Sequence, residues 1–237
     1  MVTSASGPVP TITAGQMREV DRVVIEEYGI DLVRMMENAG RALAELAITR
    51  FDPASVTVLA GAGGNGGGGL VAARHLSNRG IRVRVVLTQR DPAGVPGEQL
   101  SILHRMGVPV TEHPADADLI IDALIGYGLH GQPAGRTAEL IGWANRRPAP
   151  VLALDNPSGL DTTAGVPATP CVQATATLTL ALPKSGLLHA AEAGELYLAD
   201  IGVPPAVYQR FGLQVPALFA RATIVAVPTV QAGFRGA

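Results

Sequence analysis

The sequence predicts an α/β fold in which a parallel sheet carries helices on both faces, and three observations predict it. Strand-like and helix-like segments alternate through short connections from residue 56 onward, as a parallel sheet requires when each crossover returns over one face. The run from Val56 to Leu76, VTVLAGAGGNGGGGLVAARHL, stops a strand pattern in glycines and restarts it as a helix. The chain has 237 residues, 47% of them apolar, enough for one sizeable core without disulfides.

Taken in order, residues 1–10 (MVTSASGPVP) lack a basic n-region and an apolar h-region and read as a flexible leader, not a signal peptide. Thr13 then precedes AGQMREVDRVVIEEYG, where Met17, Val20, Val23 and Val24 recur at helical spacing and Gly29 marks the stop. Asp31 caps a second helix that ends before Asp52-Pro53. Strands are expected at 56–60, 83–87, 119–122, 151–154, 175–182 and 195–200, with helices at 70–79, 97–106 and 137–145. The apolar stretch 222–227 offers an edge strand or a surface against a partner. The expected organisation is one domain over 12–228, with flexible tails at 1–11 and 229–237.

Net charge is −2 and Cys171 is the single cysteine. One cysteine forms no internal bridge, and without a Cys/His cluster or an H-E-x-x-H pattern a zinc site is not expected. These features point to a reducing, cytoplasmic setting. No apolar run reaches membrane-spanning length, and the absence of a basic stripe argues against nucleic acid. The expected partner is a small molecule.

Three unusual loops, 61–69, 122–131 and 155–161, each follow a strand. In an open parallel sheet the carboxyl ends of strands share one edge, and ligands sit there where strand order reverses. The glycine run suits an anion, since bare backbone and the unpaired N–H groups of a helix start approach it closely. Gly61, Gly63 and Gly66 satisfy G-x-G-x-x-G, but the second strand ends Leu87-Thr88-Gln89-Arg90 without the acid that would hold ribose hydroxyls. No Gly-Lys-Ser/Thr follows the glycines, so a P-loop is excluded. Ser158 sits in Asn156-Pro157-Ser158-Gly159, which is no hydrolase elbow.

The order of motifs resembles one family, the NAD(P)H-hydrate epimerases, also called the YjeF N-terminal domain. Met17–Asp21 (MREVD) and Glu37–Gly40 (ENAG) look like its two N-terminal helices. Gly61–Leu76 is similar to its G-x-G-N-N-G-G-D-G-L-V-A-A-R-H-L segment, and Asp122–Gly126 (DALIG) to D-A-L-F-G. Asp155–Asp161 (DNPSGLD) is similar to D-x-P-S-G-L-D, Pro183–Gly186 to P-K-x-G, and Ala199–Pro204 to A-D-I-G-I-P.

The resemblance implies a Rossmann-like three-layer α/β/α sandwich with a mostly parallel central sheet, often a homodimer. It implies interconversion of the R and S forms of hydrated NADH or NADPH, a repair of nicotinamide cofactor. A separate dehydratase would accept one epimer, and potassium would be bound. Residue by residue, Asn65, Asp122 and Ser158 match the cation ligands, an oxygen-only set suited to a hard ion. Gly64, Asn65, Gly66, Gly67 and Gly68, then Gly126, Tyr127, Gly128 and Leu129, and finally Asp155 match the positions that bind the nucleotide. Inverting a hemiaminal carbon needs proton donation and recapture, for which Asp155 and Lys184 are the candidate acid/base pair.

Three departures fall inside these loops: Gly64 stands for the first Asn, Gly68 for the Asp, and Tyr127 for the Thr of G-T-G. Two function classes therefore stay open, the epimerase and a catalytically altered nucleotide-binding or protein-interaction module of the same fold.

Overall fold

A computed structural model describes residues 2–5, 9–129 and 131–228. Its strands are β1 (Thr3–Ser4), β2 (Ser55–Ala60), β3 (Arg82–Leu87), β4 (Val110–Thr111), β5 (Leu119–Ala123), β6 (Val151–Leu154), β7 (Leu160–Asp161), β8 (Val166–Pro167), β9 (Ala176–Leu180), β10 (Glu195–Ala199) and β11 (Ile224–Val227). The α-helices are α1 (Ala14–Glu26), α2 (Leu32–Phe51), α3 (Gly64–Ser77), α4 (Gly94–Arg105), α5 (Gly135–Asn145) and α6 (Pro205–Gln209).

Among the described residues the main sheet runs β1-β11-β10-β9-β6-β5-β2-β3-β4. Every neighbouring pair in it is parallel except β10 with β11. The stretch 222–227 thus supplies an edge strand, as the sequence allows. Successive residues of one strand feed opposite layers. Val56, Val58 and Ala60 of β2 pack into the core shared with α1–α4, while Leu59 joins Leu140, Ile141 and Ala144 of α5 on the other face. Burial of both faces explains why these strands read as unbroken apolar runs.

Both N-terminal caps predicted from sequence form. The Thr13 hydroxyl accepts from the Gln16 N–H at 3.1 Å while the Gln16 side chain accepts from the Thr13 N–H, a capping box. Asp31 accepts from the Arg34 N–H at 2.9 Å.

Two expectations are revised. Residues 1–11 do not all lie outside the fold, because Thr3–Ser4 pairs with Val225 and Ala226; the expected tail 229–237 lies outside the described residues. The glycine run is not a loop to residue 69 either, since α3 begins at Gly64. Glycine is a poor helix former, but packing demands it here. A Cβ on Gly66 would stand 1.8 Å from the Gly61 carbonyl oxygen, and one on Gly69 would stand 2.4 Å from the Ala123 Cβ. The helix presses its backbone onto β5 and onto the turn that starts it.

Chain order reverses between β2 and β5: β3 and β4 extend the sheet to one side of β2, and β5, β6, β9 and β10 to the other. The loops that close over this point come from the carboxyl ends of β2, β5, β6 and β9.

Candidate active site

Asp155 is the first residue beyond β6 and takes a left-handed backbone, φ 67°, which Asp tolerates better than most side chains. Its N–H donates to the Leu178 carbonyl at 2.8 Å, fixing the turn against β9. From β9 the chain passes through Ala181, also left-handed at φ 65°, and brings Lys184 back beneath Asp155. The backbone at Lys184 is held from the other end of the chain. Ile12 bridges to it in parallel, with the Ile12 N–H on the Pro183 carbonyl and the Ser185 N–H on the Ile12 carbonyl, each at 3.0 Å.

The two side chains form a buried ion pair. Lys184 Nζ donates to Asp155 Oδ1, and also to the Leu180 carbonyl at 3.2 Å. Lys184 has no exposed surface and Asp155 retains 3%. A lysine after a strand is ordinarily solvated; this one is among the largest fully buried side chains of the protein. The second carboxylate oxygen of Asp155 accepts from the Tyr127 N–H at 3.1 Å.

Asp122 and Ser158 make a second buried cluster. Asp122 Oδ2 accepts from the Ser158 N–H at 2.8 Å and Oδ1 from the Ser158 hydroxyl at 2.6 Å, with the Leu124 N–H at 3.2 Å. Ser158 Oγ in turn accepts from the Ile125 N–H at 2.8 Å and lies 3.3 Å from the Ile125 carbonyl. Burial pushes the Asp122 carboxyl up to about 6, against the lowering pull of its Ser158 and Leu124 hydrogen bonds. Asp122 has no basic side chain among its hydrogen-bond partners in the described residues.

The third cation candidate, Asn65, meets these clusters through Gly126. A Cβ on Gly126 would stand 3.3 Å from Asp155 Oδ2 and 3.4 Å from the Asn65 Cβ and Cγ, so the three loops close on one glycine. Asn65 Nδ2 is buried and unpartnered. Of the glycines matched to the nucleotide, Gly64 has only the Leu32 methyls near a would-be Cβ, at 3.8 Å and 4.0 Å, while Gly66, Gly67 and Gly68 are buried inside α3. Gly128 has nothing within 4 Å of a would-be Cβ.

Tyr127 does not hang free. Its hydroxyl donates to Asp21 Oδ2 of α1, and Lys184 Nζ lies 5.5 Å from its ring centroid. Burial and the Asp21 charge raise the phenol well above its usual range, and burial likewise raises the Asp21 carboxyl. Tyr127 and Leu129 line a cavity of about 480 Å³ together with Arg18, Gln132 and Thr163. Cys171 stays apart as a buried thiol, pushed up to about 12 by burial.

The family described as YjeF-related protein N-terminus matches residues 33–186. An NAD(P)H-hydrate epimerase from Dehalogenimonas lykanthroporepellens is 49% identical over 222 residues, 90% of each chain. The chain belongs to the YjeF N-terminal family. A bifunctional NAD(P)H-hydrate repair enzyme from Salinibacter ruber is 38% identical over 85% of this chain, which spans 42% of that longer protein. The crystal structure of yeast ynu0 shares the fold, with a TM-score of 0.81 at 21% identity over 92% of this chain and all of that one.

Within this YjeF N-terminal chain Arg18, Asp21 and Asn156 lie inside the MREVD and DNPSGLD motifs, but no role was expected for them. The placement of Asp21 was legible, since it follows Met17 by four residues and shares the buried face of α1 with Val20 and Val24.

Proposed function

We propose that this protein is an NAD(P)H-hydrate epimerase, an isomerase acting as a single domain over residues 12–228 on hydrated NADH or NADPH. The observation that carries the reading is the buried Lys184–Asp155 pair beyond the carboxyl ends of β9 and β6, on the edge of the sheet where strand order reverses, sharing Tyr127 with a 480 Å³ cavity. The 49% identity to a curated epimerase over nearly the whole of both chains supports it.

In this reading the hemiaminal hydroxyl leaves as water with a proton from Asp155, and water adds back to the opposite face and returns the proton to Asp155, while Lys184, fixed by Asp155 and the Leu180 carbonyl, steadies the charge that moves. Asp155 is almost without exposure, and Tyr127, whose N–H it accepts, lines the adjacent cavity. Gly64, Asn65 and the bare backbone of Gly126 and Gly128 offer the nucleotide its approach. Gly66, Gly67 and Gly68 serve by letting α3 sit close to the sheet.

Potassium is the cofactor the family resemblance implies, and the residues present fit it. Asp122 is a buried carboxylate without a basic hydrogen-bond partner, bonded to the Ser158 hydroxyl, which itself lies 3.3 Å from the Ile125 carbonyl, so hard oxygen atoms gather here, and the loop that carries Asn65 approaches through Gly126. The ion would supply positive charge that fixes these loops and the nucleotide. Linkage makes this testable. With its folded value raised to about 6 from the ordinary 3.8, Asp122 contributes stability that is full below about pH 4 and is lost as pH rises through 6, about 3 kcal/mol in all. Potassium should restore it above pH 6. Melting curves with KCl, matched in ionic strength by choline chloride, are expected to show a larger rise in Tm at pH 8 than at pH 5. An equal rise at both would displace the ion from Asp122.

The reading carries with it a homodimer, a cytoplasmic setting and a dehydratase as pathway partner. The bifunctional relative is named as a single repair enzyme, which supports a coupled second step. No helix of the described residues is long and apolar enough to cross a membrane. The direct test separates R and S epimers over time at defined potassium concentration. Exchange faster than the spontaneous background is expected, and a rate equal to background removes the assignment.

A further inference from the structure

The turn after β6 holds a buried amide that none of these roles uses. Asn156 is fully buried, and its Nδ2 donates to the carbonyl oxygens of Ile125 at 3.3 Å and Pro157 at 3.0 Å. Two carbonyl acceptors settle which end of the amide is which, since turning it over would set oxygen against oxygen. Its Oδ1 is therefore the end left over, buried and without a hydrogen-bond partner. Native proteins seldom leave such an atom unpaired, because its desolvation is not compensated.

The neighbours indicate what the oxygen is for. The Ile125 carbonyl that Asn156 holds lies 3.3 Å from Ser158 Oγ, and Ser158 Oγ is bonded to Asp122. The amide is thus linked, through the Ile125 carbonyl and the Ser158 hydroxyl, to a buried carboxylate that also lacks a positive partner. A large alkali ion replaces its hydration shell with many oxygens, and the side chains of Asn65, Asp122 and Ser158 are too few to do so. We propose that Asn156 is an additional oxygen ligand of the monovalent cation, with Oδ1 on the ion and Nδ2 fixing the Ile125 carbonyl beside it. The proposal rests on the potassium reading above.

The test reads ion binding, not turnover. Tm is followed at pH 8 while KCl replaces choline chloride at constant ionic strength, for the wild-type chain, Asn156→Leu and Asn156→Ala. The leucine keeps the volume and removes both polar ends; the alanine serves if the leucine does not fold. The potassium midpoint is expected to rise at least tenfold in the folded variant, with the preference for potassium over sodium reduced. A midpoint within twofold of wild type overturns the proposal and points to a buried water as the partner of Oδ1. A wild-type chain indifferent to potassium instead overturns the cation reading, and the proposal with it.

Discussion

Replacing Asp155 with Asn is expected to slow R/S exchange of hydrated NADH or NADPH by about 10²- to 10⁴-fold, the range that a positioned acid/base contributes. The amide keeps the shape of the carboxylate and the contact with the Tyr127 N–H, but it neither takes nor returns the proton. Asp155→Ala is a harsher change. Both variants leave the Lys184 ammonium, which has no exposed surface, without its counter-charge, but alanine also takes away the oxygens that accept from Lys184 and Tyr127, and removing one partner of a buried pair costs about 3–5 kcal/mol. Removing both charges in Asp155→Ala with Lys184→Met should recover part of that stability while leaving the protein inactive. Urea melts alongside the epimer assay separate the two effects. A folded Asp155→Asn protein with wild-type turnover would take Asp155 out of the chemistry, and a double variant no more stable than Asp155→Ala would mean that Lys184 is solvated.

The second large effect belongs to Gly66. A methyl there meets the Gly61 carbonyl oxygen at 1.8 Å, a backbone atom with no rotamer by which to withdraw. Gly61 cannot yield, because it faces the Leu124 carbonyl just as closely, at 2.0 Å from its own would-be Cβ. Gly66→Ala is expected to destabilise by about 3 kcal/mol or more, at or above the upper end for overpacking, and to disperse the loops that meet at Gly126. Gly64→Ala, two residues earlier, has its nearest neighbour at 3.8 Å in a mobile Leu32 methyl. It is expected to be neutral or to stabilise by up to about 1 kcal/mol as a better helix former. Urea unfolding of the two single variants decides, and equal midpoints would contradict the packing of α3 against its own start.

That contrast shows where the sequence was legible. Strands β2, β3, β5, β6, β9 and β10 follow from apolar runs bounded by turn residues, and the Thr13 and Asp31 caps from their side-chain chemistry. The convergence of three loops follows from their places after strands. The start of α3 at Gly64 was not legible, because helix propensity argues against six residues that are nearly all glycine, and only the packed sheet shows what they are for. Strands β1, β4, β7 and β8 are two residues each, too short for any period to register. At the site, Asp122, Asp155 and Ser158 were readable by motif. The burial of Lys184 was not, since its partner lies 29 residues away and only the left-handed turns at Asp155 and Ala181 bring the two together. The unpaired oxygen of Asn156 was equally invisible, being defined by what the fold withholds from it.

The bridge between Ile12 and Lys184 also bears on how the molecule assembles. Neighbouring strands find one another across short loops, whereas this contact joins a segment ahead of α1 to one beyond β9, and its loop-closure entropy is met only by a chain already largely collapsed. On the proposed role of Lys184, its backbone anchor is expected to form late, so epimerase activity should return after compactness when the chain is refolded.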